Sequence, residues 1–208
     1  MKDRIFAVAH YADAAVLYLL IALTFLSLAI IIERYIRLSK VAKLSSEQRK
    51  KLEEAMSSVK INNLEDVKLD PESLEGRVLN YAFEHIKQNG LNGLSETFDS
   101  YIKFQKPKLE KSLAFLATVG SNAPYIGLFG TVLGIMKSFH DMAHATNAGQ
   151  QTVMAGISAA LIATAAGLMV AIPNIVAYNY FQKQVAAIIG GIEGTKDMVV
   201  AYAKMKGH

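Results

Sequence analysis

Three stretches without a single Asp, Glu, Lys or Arg decide what this chain can fold into: Ala14 to Ile32, Ser112 to Met136, and Met142 to Gln182. As helices rising about 1.5 Å per residue, the first reaches roughly 28 Å and the second roughly 37 Å, enough for a hydrocarbon core of about 30 Å. The third contains a polar turn, His144 to Gln151, so its spanning part begins near Val153. The chain is therefore expected to be an all-α integral membrane protein with three transmembrane helices.

Charge sets the orientation. The net charge of +4 does not point to nucleic acid, because most of the 22 Lys and Arg lie between Arg34 and Lys111 among most of the acids, with no aromatic-interleaved basic stripe. Basic residues cluster at span ends: Arg34, Arg37, Lys40 and Lys43 after the first, and Lys103, Lys106, Lys108 and Lys111 before the second. Lys183 and Lys196 follow the third, whereas Asp141 to Thr152 has none. The positive-inside rule then places residues 34–111 and the C-terminus in the cytoplasm, and the N-terminus and the turn outside. Met1-Lys2-Asp3-Arg4 could open a signal peptide, but Glu33-Arg34-Tyr35 is no small-residue cleavage site, so the first span is read as an uncleaved anchor. The absence of cysteine removes disulfides and thiol metal sites.

In order, the expected parts are an external interfacial N-terminus (1–13), a Leu- and Ile-rich, lipid-facing first span (14–33) and a cytoplasmic helical domain (34–111). A second span (112–140), an external turn (141–152), a third span (153–181) and a cytoplasmic C-terminal helix (182–208) follow. Within the cytoplasmic domain, Ser45 and Gln48 read as a capping box opening a helix to Val59. Asp70-Pro71-Glu72 opens a second helix to about Gln88, and a third runs from Leu94 to Phe104. Pro107 marks a bend or a fresh start, and the charges form a solvated face. Val185, Ile188, Ile189, Ile192 and Val199 continue the third span as a helix that could pack on the Leu94 to Lys111 region, with Gly190-Gly191 as its weak point.

The second and third spans each carry a stripe of small and polar residues. Gly120, Pro124, Gly127, Thr131, Gly134 and Ser138 share one helical face, and Gly156, Ala160, Thr164, Gly167, Ala171, Asn174 and Tyr178 share another. Such stripes let membrane helices pack closely, and tight packing explains the glycines and alanines. Counted from the outer turn, Thr131 and Thr164 both lie roughly 14–18 Å deep. Two hydroxyls at one level can ring a polar path, or each can bond its own i−4 carbonyl.

No Asp, Glu, Lys, Arg or His lies within the span cores. Hydroxyls do not titrate near neutral pH, so an ion moving here needs a carboxylate brought by a partner. Pro124 and Pro173 each free a backbone carbonyl, and Asn174 is placed to satisfy the one freed by Pro173. Lys137 and Asp141 are spaced as an i,i+4 pair. His10, His140 and His144 are read as interfacial residues. No Walker loop, GxSxG, HExxH or Cys/His metal spacing occurs, so neither an enzyme nor a cofactor is expected.

SNAPYIGLFGTVLGIM (Ser121 to Met136) followed by GISAALIATAAGLMVAIP (Gly156 to Pro173) resembles the ExbB/TolQ/MotA family of ion-driven motor subunits, most closely its three-span ExbB/TolQ branch. The match is specific over Leu116 to Tyr180, and the rest agrees in layout; MotA-type stators carry an additional span. The resemblance implies an inner-membrane homo-oligomer, a pentamer, whose second and third spans line a central pore. An ExbD/TolR-like partner threads a single aspartate-bearing helix through that pore. Thr131 and Thr164 match the family's pore threonines, and Gly127, Gly134, Ser158 and Asn174 complete the expected lining. Pro124, Pro173 and Gly167 are expected to serve packing and kinks.

By the same resemblance, proton flow would work on the cell envelope in TonB-dependent uptake, a Tol-Pal-like system or gliding, with a TonB- or TolA-like protein as a further partner. One departure stands out: enterobacterial relatives read GIAEALLATA or GIAEALIATA, and Ala159 replaces that acid. Hydroxyl and carbonyl oxygens also suit Na⁺, so a Na⁺-driven version is one alternative. A non-conducting envelope scaffold is another. A secondary transporter is poorly matched, because three spans without inverted repeats offer no alternating-access site.

Overall fold

The computed structural model describes residues 2–57, 67, 69–144 and 150–205, and every element in them is a helix. The order is α1 (Lys2–Ser57), α2 (Leu74–Asn89), α3 (Leu94–Leu109), α4 (Leu113–His144) and α5 (Gln150–Met205). Three of these, α1, α4 and α5, are long and apolar enough to cross a membrane. The end expected at Val59, the middle of the turn (145–149) and the last residues (206–208) lie outside the described residues. So do the side chains of residues 1–13, with His10, and that of His144.

The chain divides into two compact units. The first holds the described residues up to Ile32 together with Ser112–Asn179. In it α1 presents Val16 and Leu20 to a core with Val119, Ala123, Val170 and Ala171, while Tyr18, Leu19, Ile21, Phe25, Leu26 and Leu28 stay exposed. One narrow buried stripe and a wide apolar outer face is the pattern of a helix turned mostly to lipid.

The second unit holds Glu33–Lys111 and Tyr180–His208 as far as these are described. Its core draws Leu38 and Leu52 from α1, Leu79 and Ala82 from α2, and Leu94 and Phe98 from α3. From α5 it takes Phe181, Val185, Ile188, Ile192, Val199 and Tyr202, whose spacing of three and four is that of one helical face. Tyr202 meets Phe83 edge to face at 6.5 Å, and Lys196 pairs with Asp99 of α3 at 2.6 Å, so the lower part of α5 does pack on the α3 region.

Several local expectations are corrected. No helix begins at Ser45, because α1 runs through it. Ser45 and Gln48 are buried and bond outside their own helix: the Ser45 hydroxyl to Glu75 Oε1, and Gln48 Oε1 from the Asp70 N–H at 2.9 Å. Asp70-Pro71-Glu72 is a turn, with Asp70 Oδ1 accepting from the Glu72 N–H at 2.8 Å. The helix starts after Ser73, whose Oγ caps the Gly76 N–H at 2.8 Å.

Pro107 lies inside α3 near its end, where only one carbonyl loses its donor. The break comes at Ser112, which takes a positive φ of 63°. α5 is continuous through Gly190-Gly191, because Gly191 packs against Glu75, Arg49 and Ser45. Two charged residues depart from the solvated face, Arg34 at 3% exposure and Glu75 at 0%.

Candidate functional site

Within the first unit, α4 and α5 pack antiparallel along their small-residue stripes. Gly120 faces Asn174 and Ile175, Gly127 faces Ala163, Thr164 and Gly167, Gly134 faces Ala160, and Ser138 faces Gly156. A methyl group built on Gly127 would lie 2.6 Å from the Ala163 carbonyl oxygen, and one on Gly167 would lie 2.6 Å from that of Ala123. Nothing larger than hydrogen fits at either position without parting the helices, which is how small residues hold a membrane helix pair.

At the centre of this seam the Thr131 and Thr164 hydroxyls touch. Thr131 is 7% exposed and donates its O–H to the Gly127 carbonyl at 3.1 Å. A threonine has one proton to give and two lone pairs to offer. With the Thr131 proton held by its own helix, Thr164 is the donor across the seam. Thr164 is only half-buried, and its oxygen keeps its lone pairs for an incoming group. Both alternatives weighed from spacing therefore occur together: Thr131 bonds its i−4 carbonyl, and the two hydroxyls meet at one level.

The other expected residues divide. Gly127, Gly134 and Gly167 are buried in the seam, and Pro124 is half-buried beside it. Asn174 lies at 2% exposure near Gly120. Its Nδ2 donates to the Val170 carbonyl at 2.8 Å, not to the Met169 carbonyl that Pro173 leaves without a donor. Its Oδ1 makes no hydrogen bond. Pro173 and Ser158 are exposed and stand off the seam.

Ala159, also exposed, lines a cavity of about 290 Å³ with Leu17, Gly130, Gly134, Ser138 and Asp141. The small side chain at the position of the departure thus borders open space. Asp141 lies 3.6 Å from His140 Nδ1. Among the described residues, no three His, Cys, Asp or Glu side chains converge as metal ligands would.

One feature was missed from spacing alone. Thr118, Ser121 and Asn122 are exposed on α4, on the same side as Tyr125. The interval i, i+3, i+4, i+7 was legible, but it sits inside an apolar run where the glycine stripe dominates the pattern.

The chain carrying this seam is similar to known proteins. The MotA/TolQ/ExbB proton channel family matches residues 70–193, more than half of the chain. The chain belongs to that family. A Tol-Pal system protein TolQ from Pseudomonas aeruginosa is 46% identical over 118 residues, 57% of this chain and 51% of that protein. A biopolymer transport protein ExbB from Helicobacter pylori is 55% identical over 71 residues, 34% of this chain and 49% of that protein. The chain spans about half the length of these curated relatives. Family and helices together make this an integral membrane protein of the ExbB/TolQ branch.

Proposed function

We propose that this chain is the pore-forming subunit of an inner-membrane motor driven by the proton-motive force. It works with an ExbD/TolR-like single-span partner that carries a membrane aspartate, and five copies of the chain surround that helix. The long loop and the C-terminus face the cytoplasm, as the basic residues at the span ends favour.

The observation that carries this reading is the hydroxyl pair Thr131–Thr164, set between glycine-tight helices in spans whose cores hold no Asp, Glu, Lys, Arg or His. A hydroxyl accepts a hydrogen bond from a protonated carboxyl group and, by turning, donates one to a carboxylate. Thr164 therefore suits both protonation states of a partner aspartate, while Thr131 keeps its proton on Gly127. The pair receives and releases a proton carrier without itself titrating. Similarity to proteins named for the Tol-Pal system and for biopolymer transport supports work on the cell envelope as the output.

Proton flux into vesicles, measured with and without the partner, tests this function. Flux that requires both chains is expected; an assembled complex that passes no protons would leave the scaffold reading in its place.

A further inference from the structure

The exposed face of α4 changes chemistry along its length. Toward the Asp141 end it carries Leu128, Phe129, Val132 and Phe139, each about half exposed or more, as a lipid- or protein-facing helix does. Toward the Leu113 end the same face carries Thr118, Ser121, Asn122 and Tyr125. Asn122 lies nine residues into α4, about 14 Å along the helix at 1.5 Å per residue, inside the stretch read as spanning. An amide in hydrocarbon without partners costs about 4–8 kcal/mol, so lipid tails are a poor neighbour for this facet.

The hydrogen bonds say which neighbour fits. Thr118 donates to the Ala114 carbonyl at 2.8 Å, and Ser121 donates to the Ala117 carbonyl at 2.9 Å. Asn122 Nδ2 donates to the Thr118 carbonyl at 2.8 Å and to Ser121 Oγ at 3.2 Å. The Thr118 and Ser121 hydroxyls and both amide N–H groups of Asn122 are folded back onto α4. What these three residues leave outward is Thr118 Oγ1, a lone pair of Ser121 Oγ and Asn122 Oδ1, all acceptors, with the exposed Tyr125 phenol, donor and acceptor both, beside them. A surface dominated by hard oxygen acceptors attracts water and small cations.

We propose that Thr118, Ser121 and Asn122 form an acceptor-lined wall of the cytoplasmic half of the ion path, along which a hydrated cation, hydronium or Na⁺, passes between the level of Thr131 and the inner face. The proposal rests on the pore reading above and extends it to residues off the threonine seam. Hydronium and Na⁺ share the chemistry, and flux measured under a pH gradient without Na⁺, then under a Na⁺ gradient at constant pH, separates them.

The chain has no cysteine, so single thiols can report water directly. In the complex assembled with its partner, Ser121→Cys and Asn122→Cys are expected to react with a membrane-impermeant thiol reagent, since the reactive thiolate forms in water. Phe25→Cys, on the exposed apolar face of α1, is expected to stay inert. The triple variant Thr118→Val, Ser121→Ala, Asn122→Leu is expected to keep its oligomer and lose about tenfold or more in partner-dependent flux, equivalent to about 1.4 kcal/mol of barrier.

Thiols at 121 and 122 no more reactive than at 25 would overturn the proposal. So would full flux in the triple variant, or loss of the oligomer, which would make the facet a subunit contact. If the wild-type complex itself passes no ion, or if Thr164→Val conducts fully, the pore reading has failed. If only the triple variant conducts normally, the facet alone has.

Discussion

Thr131 and Thr164 meet hydroxyl to hydroxyl across α4 and α5, and the contact is unsymmetrical. Thr131 is anchored to the Gly127 carbonyl at 3.1 Å and nearly sealed from the surface. Thr164 is half open, and only its proton is engaged. The two threonines should therefore differ when altered. Thr131→Val removes one interhelical bond, worth about 0.6–1.7 kcal/mol in membrane helices, and should lower stability modestly while partner-dependent proton flux persists at a reduced level. Thermal melting of the detergent-solubilised oligomer, set beside vesicle flux, measures both; flux untouched by Thr131→Val would show that the anchor does not position its neighbour.

The glycines of the seam make a sharper stability prediction. Gly127→Ala and Gly167→Ala each drive a methyl group to 2.6 Å from a backbone carbonyl oxygen, so the helices must separate. A loss of about 1–3 kcal/mol is expected, the range for overpacked cores. Gly194 has no atom within 4 Å of such a methyl, and Gly194→Ala should gain up to about 1 kcal/mol from helix propensity. Midpoint temperatures of the three variants decide it, and equal shifts at 127 and 194 would refute the packing account.

In the second unit, Glu75 is fully buried, with Oε1 accepting from Ser45 and Oε2 unpartnered. Ser45→Ala leaves both oxygens without a hydrogen bond and should destabilise the protein by about 1–3 kcal/mol. Combining it with Glu75→Leu should recover part of that loss, because removing both partners avoids the orphaned group. A double-mutant cycle on unfolding midpoints measures the coupling. Strict additivity would mean that the pair contributes nothing.

Tyr101 gives a pH prediction. Burial raises its hydroxyl above the ordinary value of 10.0; Arg77 nearby pulls it down, and Glu75 pushes it up. The folded state therefore favours the neutral phenol. Its contribution to stability is complete below pH 10.0 and is lost as pH rises through the raised value. The phenolate absorbance of the wild type minus that of Tyr101→Phe should titrate with a midpoint above 10.0. A midpoint at or below it would contradict the burial.

Much of this molecule could be read from its residues, for identifiable reasons. Long charge-free runs dictate spans, and small residues three and four apart predict which faces of α4 and α5 touch. Depth counted at a fixed rise per residue brought Thr131 and Thr164 to one level, and they are in contact. What misled was local chemistry with two meanings. Ser45 and Gln48 have the spacing of a helix start, but the same two side chains can reach out from mid-helix, and here they hold Glu75 and Asp70.

Pro107 looked like the break before the second span. A proline near the end of a helix disturbs little, and the chain turns at Ser112 instead. Asn174 was assigned the wrong carbonyl because the bond of an asparagine to its i−4 oxygen competes with repair at the neighbouring proline. The facet at Thr118, Ser121 and Asn122 stayed hidden because three polar residues scarcely dent an apolar average.

Partner-dependent proton flux through reconstituted complexes bearing Thr164→Val, beside Thr164→Ser and wild type, tests the pore account most directly. The account predicts that valine abolishes the flux in an intact oligomer and that serine, which keeps the hydroxyl, retains it. Valine complexes that assemble and conduct like wild type would contradict it.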